Sequence, residues 1–438
     1  MKRVLVITYY WPPAGGSGVQ RWVKFSKYLP SCGWQPVIYT PQNPEMQSVD
    51  YTLEADIPPE VQVVKRPITE IYSIYRKLTG KAASQSQVNM VNAGKKSWKQ
   101  RLMMAIRGRF FVPDPRVSWV KPSVKFLKKY LKEHPVDVIV STGPPHSMHL
   151  IARKVSLATG IPWVADFRDP WTKIFYFKHL GLSKHTTAKH QKLEQQVLDD
   201  ASVVVAVSPL VQEEFRQMTA TPVELITNGF DPDDFNFAGA PVDDGFFNMT
   251  HTGQFAADGN PELLWEVLAD KCRQDAMFAQ KLRIRLAGKT DTQIFDSIKA
   301  AGLEANLVDL GYVNHEVVVR EQAGAAVLLL PLRKEPEYRA TLPGKLFEYL
   351  GACKPILGIG QTDGAMARVV ADAGAGFTAG WEDKAALSDF VDRAWKAFLA
   401  GECRIGADGG LFKGGNIEKY SRRETAKAMA ALLDKTKR

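Results

Sequence analysis

The chain has 438 residues, 45% of them hydrophobic and 24% charged, which is too long for one core and points to two domains. Lys and Arg outnumber Asp and Glu by 57 to 47, a formal net charge of +10 that favours anionic partners such as nucleotides, phosphates or anionic lipid. The four cysteines, Cys32, Cys272, Cys353 and Cys403, lie far apart with no Cys-x-x-Cys pair, so neither a disulfide framework nor a zinc ribbon is indicated. No apolar run reaches the roughly 18 residues of a membrane span, and the first eight residues are too short for a signal peptide. A cytoplasmic protein is expected.

The N-terminal run Val4 to Ile7 is bounded by turn residues and predicts a buried parallel strand. It gives way to Pro12, Pro13 and the glycines Gly15, Gly16 and Gly18, after which 19–29 reads as a helix. Strand, glycine turn and helix place free backbone amides and a positive dipole end beside an anion. The third glycine of a dinucleotide fingerprint is missing, and no Gly-Lys-Ser/Thr follows, so neither a nicotinamide site nor a Walker loop is satisfied. A tight turn without a ligand is the alternative.

Further strands are predicted near 36–40, 61–65, 137–142, 162–166, 202–207 and 223–227, with helices between them such as 120–131 and 193–199. This alternation argues for a parallel sheet covered on both faces. Residues 71–115 break the rhythm and read as an insertion. Within it, 95–109 interleaves Lys and Arg with Trp98, Leu102, Met103, Met104 and Ile106 and carries no acid. Either a membrane-surface helix or a basic face packed on its own domain fits that pattern. Nucleic acid is not expected, because no nucleic-acid motif accompanies the charge.

Two clusters follow strand ends in this half. Gly143-Pro144-Pro145-His146 begins a helix that also carries His149, and Asp166, Arg168, Asp169 and Trp171 lie just past the next strand, where open α/β sheets gather ligands. Asp166 or Asp169 is a candidate general base; an Asp/Arg pair fixing a loop is the alternative. Residues 229–244, rich in Gly, Pro and Asp, read as an interdomain linker, and Asp231 to Asp234 as turn residues within it. A second alternating series gives strands near 246–252, 282–287, 307–311, 325–331, 355–359 and 375–378, and 417–433 a last amphipathic helix.

The segment with most chemistry is Thr341-Leu342-Pro343-Gly344-Lys345-Leu346-Phe347-Glu348. Thr341 and Pro343 mark a helix start, with Lys345 and Glu348 on one face. A lysine in a first helical turn is badly placed for the dipole, which a bound anion would explain. A carboxylate one turn later can accept from a ribose diol. A surface Lys/Glu pair, worth a few tenths of a kcal/mol, is the alternative.

Taken together, Tyr10-Trp11-Pro12-Pro13-x-Gly15-Gly16-Ser17-Gly18-x-x-Arg21, Asn228-Gly229-Phe230-Asp231, His251-Thr252-Gly253 and Pro343-x-Lys345-x-x-Glu348-Tyr349-Leu350 with Lys354-Pro355 resemble family 4 glycosyltransferases. The resemblance implies an α/β GT-B fold of two Rossmann-like domains with parallel sheets facing across a cleft. Residues 1–228 would bind the acceptor, 245–415 the nucleotide-sugar, and 416–438 would form a helix packing back toward the N-terminal domain. It further implies sugar transfer from a UDP-, GDP- or TDP-linked donor to a saccharide or lipid-linked acceptor, with retention, without metal and without a cofactor beyond the donor as co-substrate.

Residue by residue, Glu348 matches the ribose-binding second glutamate of the family's Glu-x7-Glu motif. Ala340 stands in place of the first, which leaves the donor sugar to the backbone of Thr341, Leu342, Pro343 and Gly344. The Arg and Lys that commonly follow the glycine opening the second domain are replaced after Gly253 by Gln254, Phe255 and Ala256. Lys345, Lys289 and Arg333 are then the candidates for the diphosphate. Gly15, Gly16 and Ser17 match the family's glycine loop, Arg21 either adds charge there or is a surface arginine, and His146 matches a histidine that hydrogen-bonds the donor sugar. His146, Lys345 and Asp166 form the expected catalytic set. The implied role is polysaccharide or glycolipid assembly at the cytosolic face of the membrane. Rival readings are an epimerase of the same fold, which would turn over without an acceptor, and a catalytically silent binding partner, suggested by Ala340.

Overall fold

The computed structural model describes residues 1–46, 48–69, 111–236, 244–406 and 409–437; the basic segment 95–109 and most of the expected insertion lie outside them. The described chain divides into two compact units, Met1–Thr227 with Thr425–Arg438, and Asn228–Glu424. No helix among the described residues is long and apolar enough to cross a membrane.

The first unit is built on strands β1 (Lys2–Ile7), β2 (Trp34–Pro41), β3 (Gln62–Arg66), β4 (Val138–Gly143), β5 (Trp163–Phe167), β6 (Val203–Ala206) and β7 (Val223–Leu225). They form one sheet in the order β3-β2-β1-β4-β5-β6-β7, with every neighbouring pair parallel. Parallel strands are covered by crossover helices on both faces, so the inner strands carry unbroken apolar runs. Val4 to Ile7, Val138 to Val140 and Trp163 to Ala165 are fully buried. Each Val, Leu or Ile side chain among them contributes about 1.5–3 kcal/mol of hydrophobic stabilisation.

Helix Ser17–Tyr28 packs Val19, Trp22, Val23 and Phe25 into this core. Gly16 holds its N-cap position at φ 100°, a left-handed conformation that favours glycine. Arg21 lies on the same helix and is buried rather than facing a ligand. Its Nε and Nη2 donate to the Asp166 carboxylate at 3.1 and 2.9 Å, and Nη1 and Nη2 donate to the carbonyls of Thr227 and Ile226 at 2.8 and 2.9 Å. Capture of those two carbonyls accounts for β7 stopping at Leu225, two residues short of the expected 227.

The last helix, Arg422–Thr436, starts later than the predicted 417. A short 3₁₀ turn, Glu418–Tyr420, comes first, and the extended Ser421 accepts from the Glu424 amide through its Oγ at 3.2 Å, an N-cap arrangement. From Thr425 onward the helix belongs to the first unit: Ala426, Met429 and Leu433 enter its core, Asp434 accepts from Trp34 Nε1 at 3.1 Å, and Lys437 pairs with Asp137 at 2.8 Å.

The second unit has strands β8 (Phe247–Thr252), β9 (Leu282–Ala287), β10 (Leu307–Gly311), β11 (Val327–Pro331), β12 (Ile356–Ile359) and β13 (Gly376–Ala379), again all parallel, in the order β10-β9-β8-β11-β12-β13. Two apolar clusters accompany the sheet. One is built around Trp265, Phe278, Phe390 and Trp395, the other around Leu346, Phe347, Tyr349, Leu350 and Met366. Residues 229–236 and 244 of the stretch expected as an interdomain linker are described and fall within this unit. Phe230 is buried in the second cluster, its amide donates to Tyr420 O at 3.1 Å, and its carbonyl accepts from the Arg422 amide at 2.7 Å.

Both sheets reverse their strand order once, between β1 and β4 and between β8 and β11. The crevice beyond the strand ends at such a point is where open α/β sheets take ligands.

Breaking the Arg21–Asp166 pair strands a buried guanidinium. Asp166→Ala is therefore expected to lower unfolding stability in urea by about 3–5 kcal/mol, and a loss below about 1 kcal/mol would show that the pair does not hold the unit together.

Candidate functional site

At the reversal point of the first unit, Gly143 ends β4 and Pro144, Pro145 and His146 lead into helix Ser147–Thr159. Half-buried Asp114 fixes that helix start, its carboxylate accepting from the Ser147 amide and hydroxyl, both at 2.9 Å. Arg168 follows β5 and donates to the carbonyls of Gly18 and Pro144. It thereby ties the glycine loop to the end of β4, at the cost of a guanidinium whose pKa burial lowers.

His146 stacks flat on Trp171, with ring centroids 4.4 Å apart and planes 2° from parallel, while Trp171 Nε1 donates to His190 Nδ1 at 3.1 Å. His149 stacks on Phe167 at 4.4 Å and pairs through Nδ1 with Ser141 Oγ at 2.8 Å. His146 Nδ1 and His149 Nε2 are buried and lack hydrogen-bond partners. A side chain on Gly143 would meet them at 3.2 and 2.5 Å. Burial, followed by the repulsion of His149, pushes the His146 pKa well down, and burial brings His149 to about 3. Both rings are neutral near pH 7 and offer single hydrogen bonds, not protons in bulk.

Asp166 does not serve as a base here. Burial pushes its carboxyl up, but Arg21 and the Trp22 Nε1 hydrogen bond, at 2.9 Å, bring it below its ordinary range and occupy its oxygens. The expectation for Asp166 and for Arg21 as a substrate residue is corrected together, since each neutralises the other in the core. Half-buried Asp169 is different, because burial raises it to about 6 against the pull of Arg168. Gly15 turns toward residues 48–50, its amide donating to Ser48 O at 2.9 Å, and Ser17 opens the helix.

At the reversal point of the second unit, His251 and Thr252 end β8, both 1% exposed, and Gly253 follows at φ 84°. Its amide donates to Ala287 O at 2.7 Å. Gly288 beyond β9 has φ 137°, and a Cβ there would lie 2.3 Å from Gly253 O. Only glycine lets the two loops approach so closely. Pro343 precedes helix Gly344–Gly351 as its N-cap, and Gly344 is exposed with open space around it.

Half-buried Lys345 reaches back from that helix to β8. Its Nζ lies 3.1 Å from His251 Nε2 and 3.1 Å from Gln254 O. Desolvation lowers its pKa to about 8, with Glu348 pulling the other way. Glu348 Oε2 accepts from Gln322 Nε2 at 3.0 Å, and the same nitrogen reaches Thr252 Oγ1 at 3.0 Å. Tyr349 on the inner side donates toward Leu329 O at 3.3 Å and accepts from the Thr252 amide at 3.0 Å.

Lys345, Glu348, Gly253 and the helix start thus come together. Lys289 is exposed in the loop whose carbonyl accepts from the Phe255 amide at 3.0 Å. Arg333 is committed to Asp258 at 3.0 Å and lies over Tyr338, so its charge is already balanced. His251, which holds Lys345, entered the sequence reading only as part of the His251-Thr252-Gly253 motif, and Gln322, which holds Glu348, was not identified there. The Asp231 side chain accepts from the Asp233 amide at 3.1 Å, as a turn residue does.

Residues 91–234 match the family model described as Glycosyltransferase Family 4. No curated protein matches the chain. Among solved structures, a glycosyltransferase from Rickettsia africae is 13% identical at a TM-score of 0.59, covering 99% of this chain and 98% of its own. The E. coli structure of trehalose-6-phosphate bound with UDP-2-fluoro glucose is 14% identical at a TM-score of 0.62, covering 99% of each chain. The apo lipopolysaccharide outer core galactosyltransferase WaaB is 14% identical at 0.57, covering 99% of this chain and 100% of its own. At these identities the likeness concerns the fold, which is GT-B.

The raised Asp169 pKa has a sign that can be tested. Its proton is held more tightly folded than unfolded, so its stabilising contribution is complete below about pH 4 and lost as pH rises through about 6. The melting-temperature difference between Asp169→Asn and the parent should therefore be more favourable to the variant at pH 8 than at pH 4; equal differences would show that the carboxyl is not buried as described.

Proposed function

We propose that this chain, a glycosyltransferase with its family 4 match over residues 91–234, moves a sugar from a nucleotide-diphospho-sugar held by the second unit to an acceptor hydroxyl. The acceptor is a saccharide or lipid-linked saccharide of cell-surface polysaccharide or glycolipid assembly. The observation that carries this reading is Lys345. Two of its three ammonium N–H groups have acceptors at 3.1 Å, and the third is left for an anion beside the open start of helix Gly344–Gly351.

A diphosphate at that point meets the ammonium and the amides of Gly344 and Lys345 at the helix start, the Leu346 amide being taken by Pro343 O at 3.0 Å. Glu348, one turn on, accepts from the ribose hydroxyls while Gln322 fixes its other contact. As the bond from the anomeric carbon to the β-phosphate oxygen breaks, charge grows on that oxygen, and these fixed donors stabilise it. The acceptor oxygen forms the new bond to the anomeric carbon from the same face, and its proton passes to the departing phosphate oxygen. Retention follows from that geometry, and the lysine and helix amides take the place of a metal. On the first unit, the unpartnered Nδ1 of neutral His146 supports a hydrogen bond to a sugar hydroxyl.

Two outcomes are expected. In calorimetric titration, Lys345→Ala should weaken nucleoside diphosphate binding roughly ten- to a hundredfold, the effect of losing about 1.5–3 kcal/mol, and leave the nucleoside nearly unaffected, whereas Glu348→Gln should weaken both by similar factors. Variants that bind both ligands as the parent does would remove the helix from the site. In a transfer assay with UDP-, GDP- and TDP-sugars, product should require an added acceptor and persist in EDTA; activity lost to EDTA and restored only by Mg²⁺ or Mn²⁺ would contradict the metal-free reading.

A further inference from the structure

His251 sits at the end of β8 and is 1% exposed. Its Nδ1 lies 3.0 Å from Leu329 O on β11, the strand across the reversal point. A carbonyl oxygen can only accept, so the proton of the neutral ring resides on Nδ1 and Nε2 carries a lone pair. That lone pair is 3.1 Å from Lys345 Nζ. Gln254 O, 3.4 Å from Nε2, cannot donate to it and is itself satisfied by Lys345 at 3.1 Å. Phe255 packs over the ring, with centroids 4.1 Å apart, and closes it from water.

Resting on the reading that Lys345 meets the donor diphosphate, we propose that His251 is its positioning residue: a permanently neutral imidazole, keyed by the β11 carbonyl, that accepts one lysine N–H and aims another over Gly253 at the phosphates. Gly253 lines that path: a Cβ there would stand in contact with Nζ at 3.5 Å, and its φ of 84° favours glycine. The titratable groups facing the ammonium are His251 from β8 and Glu348 from its own helix. Neither a second carboxylate nor a second cation is opposed to it among them. Burial and the adjacent lysine hold His251 well below the ordinary histidine range, so it does not compete for the site's proton. Lys345, brought to about 8 by its surroundings, is the group whose charge changes near neutral pH.

Diphosphate recognition should therefore fade as pH rises through about 8. A neutral acceptor favours the charged form of its donor, so removing it should move that midpoint to lower pH. The test compares UDP and GDP with their nucleosides by calorimetry from pH 6 to 9.5. His251→Asn retains a donor for Leu329 O but loses the acceptor for Lys345, and is expected to lose roughly tenfold in diphosphate-over-nucleoside preference with a lowered midpoint. His251→Gln, which can present an oxygen near the Nε2 position, should recover most of that preference.

An Asn variant with the parent's preference and midpoint would overturn the proposal while leaving Lys345→Ala defective. A Lys345→Ala protein with full diphosphate preference would instead sink the underlying site. Should the Asn variant not fold, ¹⁵N NMR of histidine-labelled parent protein decides. The proposal requires a protonated Nδ1 and bare Nε2 on His251, with Nε2 shifting in Lys345→Ala, and the opposite tautomer or an unmoved signal would overturn it.

Discussion

A parallel sheet that reverses its strand order leaves an uncovered notch at the carboxyl ends of two neighbouring strands, because the connections on either side depart in opposite directions. The side chains of the candidate site are gathered by that constraint. In the first unit the notch between β1 and β4 gathers the glycine loop, His146 and Arg168. In the second, the notch between β8 and β11 gathers His251, Gly253 and Lys345. No loop has to be invented to bring these groups together; the topology delivers them.

The two notches use buried polarity in opposite ways. Arg21 and Asp166 satisfy each other and two backbone carbonyls, which fixes the helix on the sheet and leaves nothing for a substrate. Lys345 lies half-buried with an uncharged histidine and a carbonyl as direct contacts, and Glu348 is held at one oxygen by the neutral Gln322. A charge held by dipoles remains available to an incoming ion, whereas a charge held by its opposite does not. By the same criterion Arg333, paired with Asp258, is a weaker diphosphate candidate than Lys345.

Much of the fold was legible in the sequence because strands buried on both faces read as unbroken apolar runs, and all thirteen expected strand positions are occupied. Boundaries failed where distant groups intervened: Arg21 ends β7 by taking carbonyls 205 and 206 residues away, and Ser421 restarts the last helix. Asp166 looked catalytic because the carboxyl end of β5, where it stands, is where ligands collect, and nothing local to Asp166 reveals a guanidinium 145 residues earlier. The helix that carries Lys345 and Glu348 was legible from its Thr-x-Pro start and the motif spacing. His251 and Gln322 were not, being 94 and 26 residues from their partners; the only sequence signal was the His-Thr-Gly at a strand end.

The central claim is that Lys345 is an ammonium of lowered pKa, held by neutral neighbours and open to a diphosphate. Competitive acetylation of the intact protein across pH 6–10, read by mass spectrometry at each lysine, tests it most directly. Lys345 should titrate near 8, and UDP or GDP should suppress its labelling where the corresponding nucleoside does not. Lys345 labelling that does not titrate near 8 and is indifferent to all of these ligands would contradict the account.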